Sequence, residues 1–482
     1  MAERGGHVAP LLMASGGTFL AMLDSTVVNL AIPSLHHDFP AEPVSTLSWV
    51  ITGYVVLFAA LLAPAGRLAD ALGRHRMFVL GVTLFTAMSL ANALAPTLAF
   101  LVTTRALQGV GAAAMLPAAL SILLLDGPAE RRKQALGLWS AASAAAAGLG
   151  PSIGGLLVDA YGWRSVFYIN LPFGVAMIAA ARSVRTGPPA ALDGRRLPDP
   201  VGTLLFAAGI GALTLGVTEG ATWHWTSAGT LAALSGGAVA SCLALLRSTR
   251  ASVPAVETRL WGNRTFATAN AVSLLYGMAQ YPWLLAGVLY LTSVWHYSEL
   301  RAGLAVSPGA IVASISAIAL GRAAGRISPR AAALIGLVAI AACGVWLTFG
   351  LTAQPRFLAL WLPAGVLVGF GMGATTLGTS TAAALSAPPV LFATASGMNT
   401  MARQLGGALG VAVAAVTLQS AGSVSVHGYE RVYLYCTIFV VLGLALSAAG
   451  LRLPRPVAPG PAAETTRAPR TRTAPPVSSP NA

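Results

Sequence analysis

Charge is what this chain has least of. Only 9% of its 482 residues are Asp, Glu, Lys or Arg, while 56% are hydrophobic and the mean hydropathy is +0.72. That balance excludes a soluble globular domain and defines an integral membrane protein. Cysteine is scarce too: Cys242, Cys343 and Cys436 lie singly in distant apolar stretches, without metal-ligand spacing or an even count for a disulfide framework, so they read as small buried hydrophobes. No phosphate-binding GxxxxGK[ST] loop and no HExxH motif occurs, which leaves ATP drive and metalloprotease chemistry without support. A membrane-embedded enzyme or a non-transporting receptor would need clustered polar catalytic groups at one depth or a sizeable soluble domain. Neither is visible, and neither a cofactor nor a metal is expected.

What charge there is sits between apolar runs. The net charge of +14 would suggest nucleic acid in a soluble protein, but these basic residues occupy short loops and call for a topological explanation. Runs of roughly twenty residues, enough to cross about 30 Å of hydrocarbon, lie at about 10–33, 47–66, 77–95, 97–124, 136–159, 164–182, 200–219, 227–246, 265–293, 300–320, 331–351, 357–383, 393–419 and 431–451. The expectation is therefore an all-α membrane protein with 14 transmembrane helices. The basic start resembles a signal peptide, but its apolar run continues past Asp24 to Ile32, so it reads as a retained first helix. With the N terminus inside, twenty-three basic residues face the cytoplasm and four, Arg164, Arg301, Arg356 and Arg431, face outward. The positive-inside bias puts both termini in the cytoplasm, and the expected location is the cytoplasmic (inner) membrane.

A faint repeat divides the chain. "AGRLADALGRHR" (65–76) after span 2 is echoed by "LGRAAGRISPR" (320–330) after span 10. The reading is an N-terminal six-helix bundle (1–183), a cytoplasmic loop with two inserted helices (184–264), a C-terminal six-helix bundle (265–452), and a Pro-, Thr- and Arg-rich disordered tail (453–482). Related halves are how many transporters build alternating access around a midplane cavity.

By these boundaries Asp24, in "FLAMLDSTVVNL", is the only acid deep in a span. An Asp at mid-bilayer costs about 2.5–3.5 kcal/mol on insertion scales, so its presence asks for a role, with proton relay the default. Gly17, Ala21 and Ala31 share its helix face and let another helix come close. Asp24 lies roughly 13 Å from the outer face and Arg105 roughly 12 Å, at 1.5 Å per residue. The two charges are level. Arg105 shares its face with Gln108, Gly109 and Ala112, so a pair is expected; motion that alters its separation or hydration would alter the proton affinity of the acid. The competing reading is a static ion pair. Span 9 carries Tyr276, Gln280, Trp283, Gly287 and Tyr290 on one stripe, either an aromatic core face or a wall for a flat lipophilic molecule. Arg403, within span 13, has no acid at its depth; it binds either backbone carbonyls or an anionic or carbonyl-bearing substrate.

Several segments resemble a known family. "FLAMLDSTVVNLAIPSL", "GRLADALGRHR", "RALQGVGAAAMLP", "GLGPSIGG" and "WRSVFYINLPFG", with "NRTFATANAVSLLYGM" and "ARQLGGALGVAV" later, resemble the fourteen-helix drug:proton antiporters of the major facilitator superfamily. The resemblance covers nearly the whole chain apart from the tail. It implies proton coupling at Asp24 with Arg105 as modulator. It implies a gate at Gly66, Asp70, Gly73 and Arg74, where the acid meets the facing half; an ordinary turn capped by Asp70 is the alternative. The second copy, "GRAAGRISPR", lacks that acid. Gly150, Pro151, Gly154 and Gly155 match the exporter motif, through a proline that opens the backbone ladder and glycines that allow close contact. Plain close packing would explain them as well.

The expectation is a proton-coupled antiporter that exports hydrophobic small molecules, drugs or antibiotics, by alternating access. The alternative within transport is a dedicated exporter of one endogenous metabolite or self-made antibiotic. Tyr276, Gln280, Trp283, Arg403 and Gln108 form the expected substrate-binding set. Partners are the substrate, protons and the bilayer, with no nucleic acid, and a monomer suffices. The resemblance implies an extra carboxylate in span 10 where divalent cations are handled; span 10 here carries no acid, so neutral, weakly cationic or anionic substrates are expected over dications.

Overall fold

The computed structural model describes residues 2–40, 42, 44–125, 132–183, 197–323, 326–421 and 425–451, so the expected disordered tail lies outside the described residues. Every regular element among them is helical. The long helices are α1 (Ala2–Val27), α2 (Trp49–Leu72), α3 (Arg74–Ala93), α4 (Leu98–Leu125), α5 (Arg132–Tyr161), α6 (Asn170–Ser183), α7 (Pro200–Trp223), α8 (Ala228–Arg250), α9 (Arg264–Ser293), α10 (Glu299–Arg322), α11 (Pro329–Gly350), α12 (Leu362–Leu385), α13 (Phe392–Ala421) and α14 (Val426–Gly450). Helix is what such apolar runs must form, because in hydrocarbon each backbone N–H and C=O has to be satisfied within the segment. Among the described residues, twelve helices are long and apolar enough to cross a membrane, counting the short Ser165–Tyr168 helix with α6. Two further long helices, α1 and α5, have 26 and 30 residues.

Local chemistry fixes many helix starts. The side chains of Asp199, Ser227, Asn263, Ser298 and Ser328 each accept a hydrogen bond from a backbone N–H in the first turn of α7 to α11 in order. Each such cap contributes about 1 kcal/mol. The first run departs from the expected unbroken span. Ser25 donates to the Met22 carbonyl at 2.8 Å, and Thr26 donates to the carbonyls of Met22 and Leu23 at 3.1 and 2.9 Å. These bonds compete for the carbonyls that continue a helix. The α-helix ends at Val27, tightens into a 3-10 turn at Val28–Ala31 and restarts as a short helix, Ile32–Asp38.

Burial separates central from peripheral helices. In α4, 83% of the most apolar window is buried, against 17% in α8. α4 packs on α1, α2, α3 and α13, whereas α8 packs on α7 and the 3-10 turn at Thr258–Gly262. Two hydrophobic cores result. One is centred on α1 to α6, with Phe392 and Met398 of α13 added. The other joins α9, α11, α12 and α14 and is rich in rings, with Tyr290 at 5.4 to 5.6 Å from Trp295, Trp361 and Tyr429. The two meet along α2 against α13 and α5 against α10, and α7 touches both α2 and α13.

Candidate functional site

Asp24 sits three residues before the end of α1, 1% exposed. Arg105 Nη1 of α4 donates to its Oδ2 at 2.6 Å, the pairing that matched depths predict. Its Oδ1 accepts from Gln108 Nε2 at 3.2 Å and from Asn170 Nδ2 of α6 at 2.8 Å. Arg105 also donates through Nη1 to Gln108 Oε1 at 2.7 Å and through Nε to the Val50 carbonyl of α2 at 3.2 Å. Its guanidinium lies 4.4 Å from the centre of the Tyr54 ring and 5.6 Å from that of Phe167. Asn92 donates to Gln108 Oε1 at 2.6 Å and accepts from Thr104 at 2.6 Å, while Ser89 accepts from Asn170 at 2.9 Å. The cluster is electrically neutral, one carboxylate against one guanidinium, and its single orphan atom is Asn170 Oδ1. Gly109 makes it possible: a Cβ there would stand 2.5 Å from the Tyr54 carbonyl, so α2 and α4 can press together on this face only with glycine.

Gln108 thus belongs to the Asp24 cluster, where both polar atoms of its amide are engaged. Sequence reading missed Asn92, Asn170, Ser89 and Thr104. Their one signal was an amide or hydroxyl stranded in an apolar run, as Asn170 is in "FYINLPFG". It also missed a second buried acid. Helix α7 runs to Trp223, past the expected end at 219, which encloses Glu219 at 3% exposure. Thr52 of α2 donates to its Oε1 at 3.0 Å. Asp24 is therefore not alone as a buried acid.

A second polar centre lies on α9, α12 and α13. Arg403 is 4% exposed, and its Nη1 is buried without a hydrogen-bond partner. Tyr276 and Tyr281 lie within its electrostatic reach. Tyr276 shares its hydroxyl with Thr376 at 3.2 Å and donates to the Met372 carbonyl at 3.3 Å, and Tyr281 donates to Gln404. Gln280 Oε1 is buried without a partner. Trp283 packs edge-on against Tyr433 of α14, 4.9 Å between ring centres, in the aromatic core.

Of the residues expected to form a gate, Asp70 and Gly66 lie at the seam between the cores. Asp70, near the end of α2, accepts from the backbone N–H groups of Ala393 and Thr394 at 3.3 and 2.8 Å and from the Thr394 hydroxyl at 2.6 Å. A carboxylate on the first turn of α13 gains from the free N–H groups and the helix dipole there. A Cβ on Gly66 would stand 2.5 Å from the Ala393 carbonyl, so glycine is required for this approach. Gly73 bends the chain between α2 and α3 at φ +105°, and Arg74 opens α3. Neighbouring Arg67 pairs with Glu257 at 3.3 Å and donates to the Pro254 carbonyl at 3.2 Å. Within α5, Gly150 faces Thr26 of α1, two residues from Asp24, with no room for a side chain. Gly154 is buried and Gly155 has open space at its Cβ position; Pro151 lies inside the continuous α5.

At one corner outside the spans, Asp38 accepts from the Trp163 indole and from Arg164, both at 2.8 Å. These two bonds hold its carboxyl below the usual carboxylate range. Among the described residues no group of His, Cys, Asp and Glu is arranged to hold a metal ion.

The family model of the Major Facilitator Superfamily matches residues 14–411, with a further match over 269–479. The multidrug resistance protein Stp of Mycobacterium tuberculosis is 34% identical over 404 residues, which cover 83% of this chain and 74% of that relative. The methylenomycin A resistance protein of Streptomyces coelicolor is 32% identical over 431 residues, 89% of each chain. Among solved structures, the human organic anion transporter MFSD10 matches with a TM-score of 0.64 over 91% of this chain and 100% of its own, at 15% identity, which is a likeness of fold. With its helical fold and membrane-length spans, the chain belongs to the Major Facilitator Superfamily of multi-pass membrane transporters.

Proposed function

We propose that this transporter is a proton-coupled antiporter that exports hydrophobic small molecules, drugs or antibiotics, from the cell. On this reading α1 and α5 complete fourteen spans, α7 and α8 are inserted between two six-helix bundles, and both termini lie on the cytoplasmic face of the cytoplasmic membrane. The names of the relatives, one a multidrug and one a methylenomycin A resistance protein, support efflux.

The observation that carries the proposal is the Asp24 carboxylate, buried and balanced by a single guanidinium. As a carboxylate it only accepts hydrogen bonds, and three donors converge on it. A proton would turn one oxygen into a donor, displace one of those partners and leave Arg105 to Gln108 and the Val50 carbonyl. Protonation therefore reorders the contacts of α1 with α4 and α6. Thr26 passes the shift to Gly150 of α5, which packs on α10 of the other bundle. The Asp70 contact with α13 holds the bundles together at the end that the arginine pattern assigns to the cytoplasm, which supports a state closed on that side. A proton moving down a 100 mV potential supplies about 2.3 kcal/mol and each pH unit about 1.4, enough to move a solute uphill roughly a hundredfold.

Inverted vesicles test this. With an acidic lumen, vesicles containing the protein accumulate Hoechst 33342, a protonophore abolishes accumulation, and Asp24→Asn loses it at equal expression. Accumulation indifferent to the gradient would refute antiport. Downhill exchange that survives in Asp24→Asn separates coupling from binding.

A further inference from the structure

The buried charges of the first centre cancel; those of the second do not. Among the described residues no carboxylate pairs with Arg403, although its side chain is 96% buried, read from its 4% exposure. Lysine in such a place could shed its proton, but a guanidinium stays charged. A cation held in low dielectric without a counter-charge is expensive, and an orphan Nη1 donor adds to the cost. A position like this is relieved by something that arrives.

Its surroundings describe the guest. Gly277 and Tyr281 of α9 both lie against α13: a Cβ on Gly277 would collide with the Arg403 carbonyl, and Gly407 faces the Tyr281 ring. Gln280, three residues from Gly277, therefore shares the helix face turned toward the α13 backbone at Arg403. Here lie an orphan cationic donor, an orphan amide acceptor and the ring of Tyr281. The planar fork of a guanidinium matches a carboxylate in both geometry and charge. An aromatic body suits the ring, and an N–H or O–H beside the acid suits Gln280.

Resting on the export reading above, we propose that Arg403 is the recognition site for the carboxylate of the exported molecule, so that the preferred substrates are flat hydrophobic monoanions. The carboxylate supplies the charge that Arg403 lacks. One further consequence is electrical. A monoanion leaving as a proton enters carries two charges in the same sense, so transport of an acid responds more steeply to membrane potential than transport of its neutral analogue.

Calorimetric titration of the purified full chain with 2-naphthoate and its neutral isostere 2-naphthamide reads the site without transport. Naphthoate binds about ten- to a hundredfold more tightly than the amide, as a charge-assisted bidentate bond requires. Arg403→Gln removes that preference and still binds the amide, and Arg403→Lys restores part of it. Equal binding by wild type, no binding of naphthoate, or a preference that survives in Arg403→Gln overturns the proposal. Should Arg403→Gln fail to fold, the wild-type ratio still decides. Gradient-driven transport of the amide without any acid preference sinks this inference and leaves export standing. A clear acid preference in a protein that transports nothing against a gradient does the reverse.

Discussion

The two polar centres of this molecule are built from similar parts and solved in opposite ways. Around Asp24, a guanidinium, two amides that grip the carboxylate and a further amide and hydroxyls interlock until one acceptor alone is left over. Around Arg403, a guanidinium, a glutamine and two tyrosines leave both a donor and an acceptor without partners. On the proposed reading, the difference separates coupling at the first centre from specificity at the second. A group that exchanges a proton has to be balanced before the proton comes, whereas a group that greets a solute has to be left wanting.

Four changes break or sharpen that contrast. The largest effect is expected from removing each cation in turn. Arg105→Gln strands Asp24 and lowers stability by about 3–5 kcal/mol, the cost of breaking a buried pair. Arg403→Gln removes a charge that has no partner, so its thermal unfolding temperature in detergent stays level or rises. Equal losses in the two variants would erase the distinction. Next, Asp70→Asn weakens the grip on the α13 terminus by about 1–2 kcal/mol. It shifts the balance between open and closed seams about five- to thirtyfold, measurable by spin-label distances across α2 and α13. Smaller still, Glu219→Gln keeps an Oε1 that accepts from Thr52, so stability changes by no more than about 1 kcal/mol and gradient-driven transport stays intact. A fall in protons moved per solute would instead make Glu219 part of the first centre.

The smallest effect lies outside the spans. Because Trp163 first and Arg164 second depress the Asp38 acid, its contribution is full above the ordinary carboxylate pKa of about 4 and fades as pH falls through the lowered value. Asp38 is partly exposed, so the amount is only a few tenths of a kcal/mol. Unfolding of Asp38→Asn, followed from pH 6 to 3, lacks that acid-side decline.

How far the sequence spoke depended on rarity. Asp24 and Arg105 stood out because a charge is conspicuous in an apolar run, and counting residues from the membrane face put them at one level. Asp70 and Gly66 stood out only through the resemblance of "GRLADALGRHR" to a family motif, since the pattern alone read equally well as a capped turn. Asn92, Asn170, Ser89 and Thr104 were not legible, since a buried amide or hydroxyl shows its worth only when distant helices bring it a partner. Glu219 was hidden by a span drawn four residues short of the observed end at Trp223. The stripe on α9 illustrates the limit of periodicity: Tyr276 bonds toward α12 and Trp283 toward α14, while Tyr281, off the stripe, faces Arg403 and Gln404. Spacing gives a face but not what that face meets.

The weak embrace of α8 has a practical corollary. With Leu231, Val239, Leu243 and Leu246 all exposed and α7 as its main helical neighbour among the described residues, this segment resembles an outrigger lashed to the hull by one spar. Its outer surface answers to bilayer thickness and to little else, so drift in its residues is cheap. Reporter dyes placed along it would ride beside the working parts without touching them, a convenient vantage for watching the protein tilt.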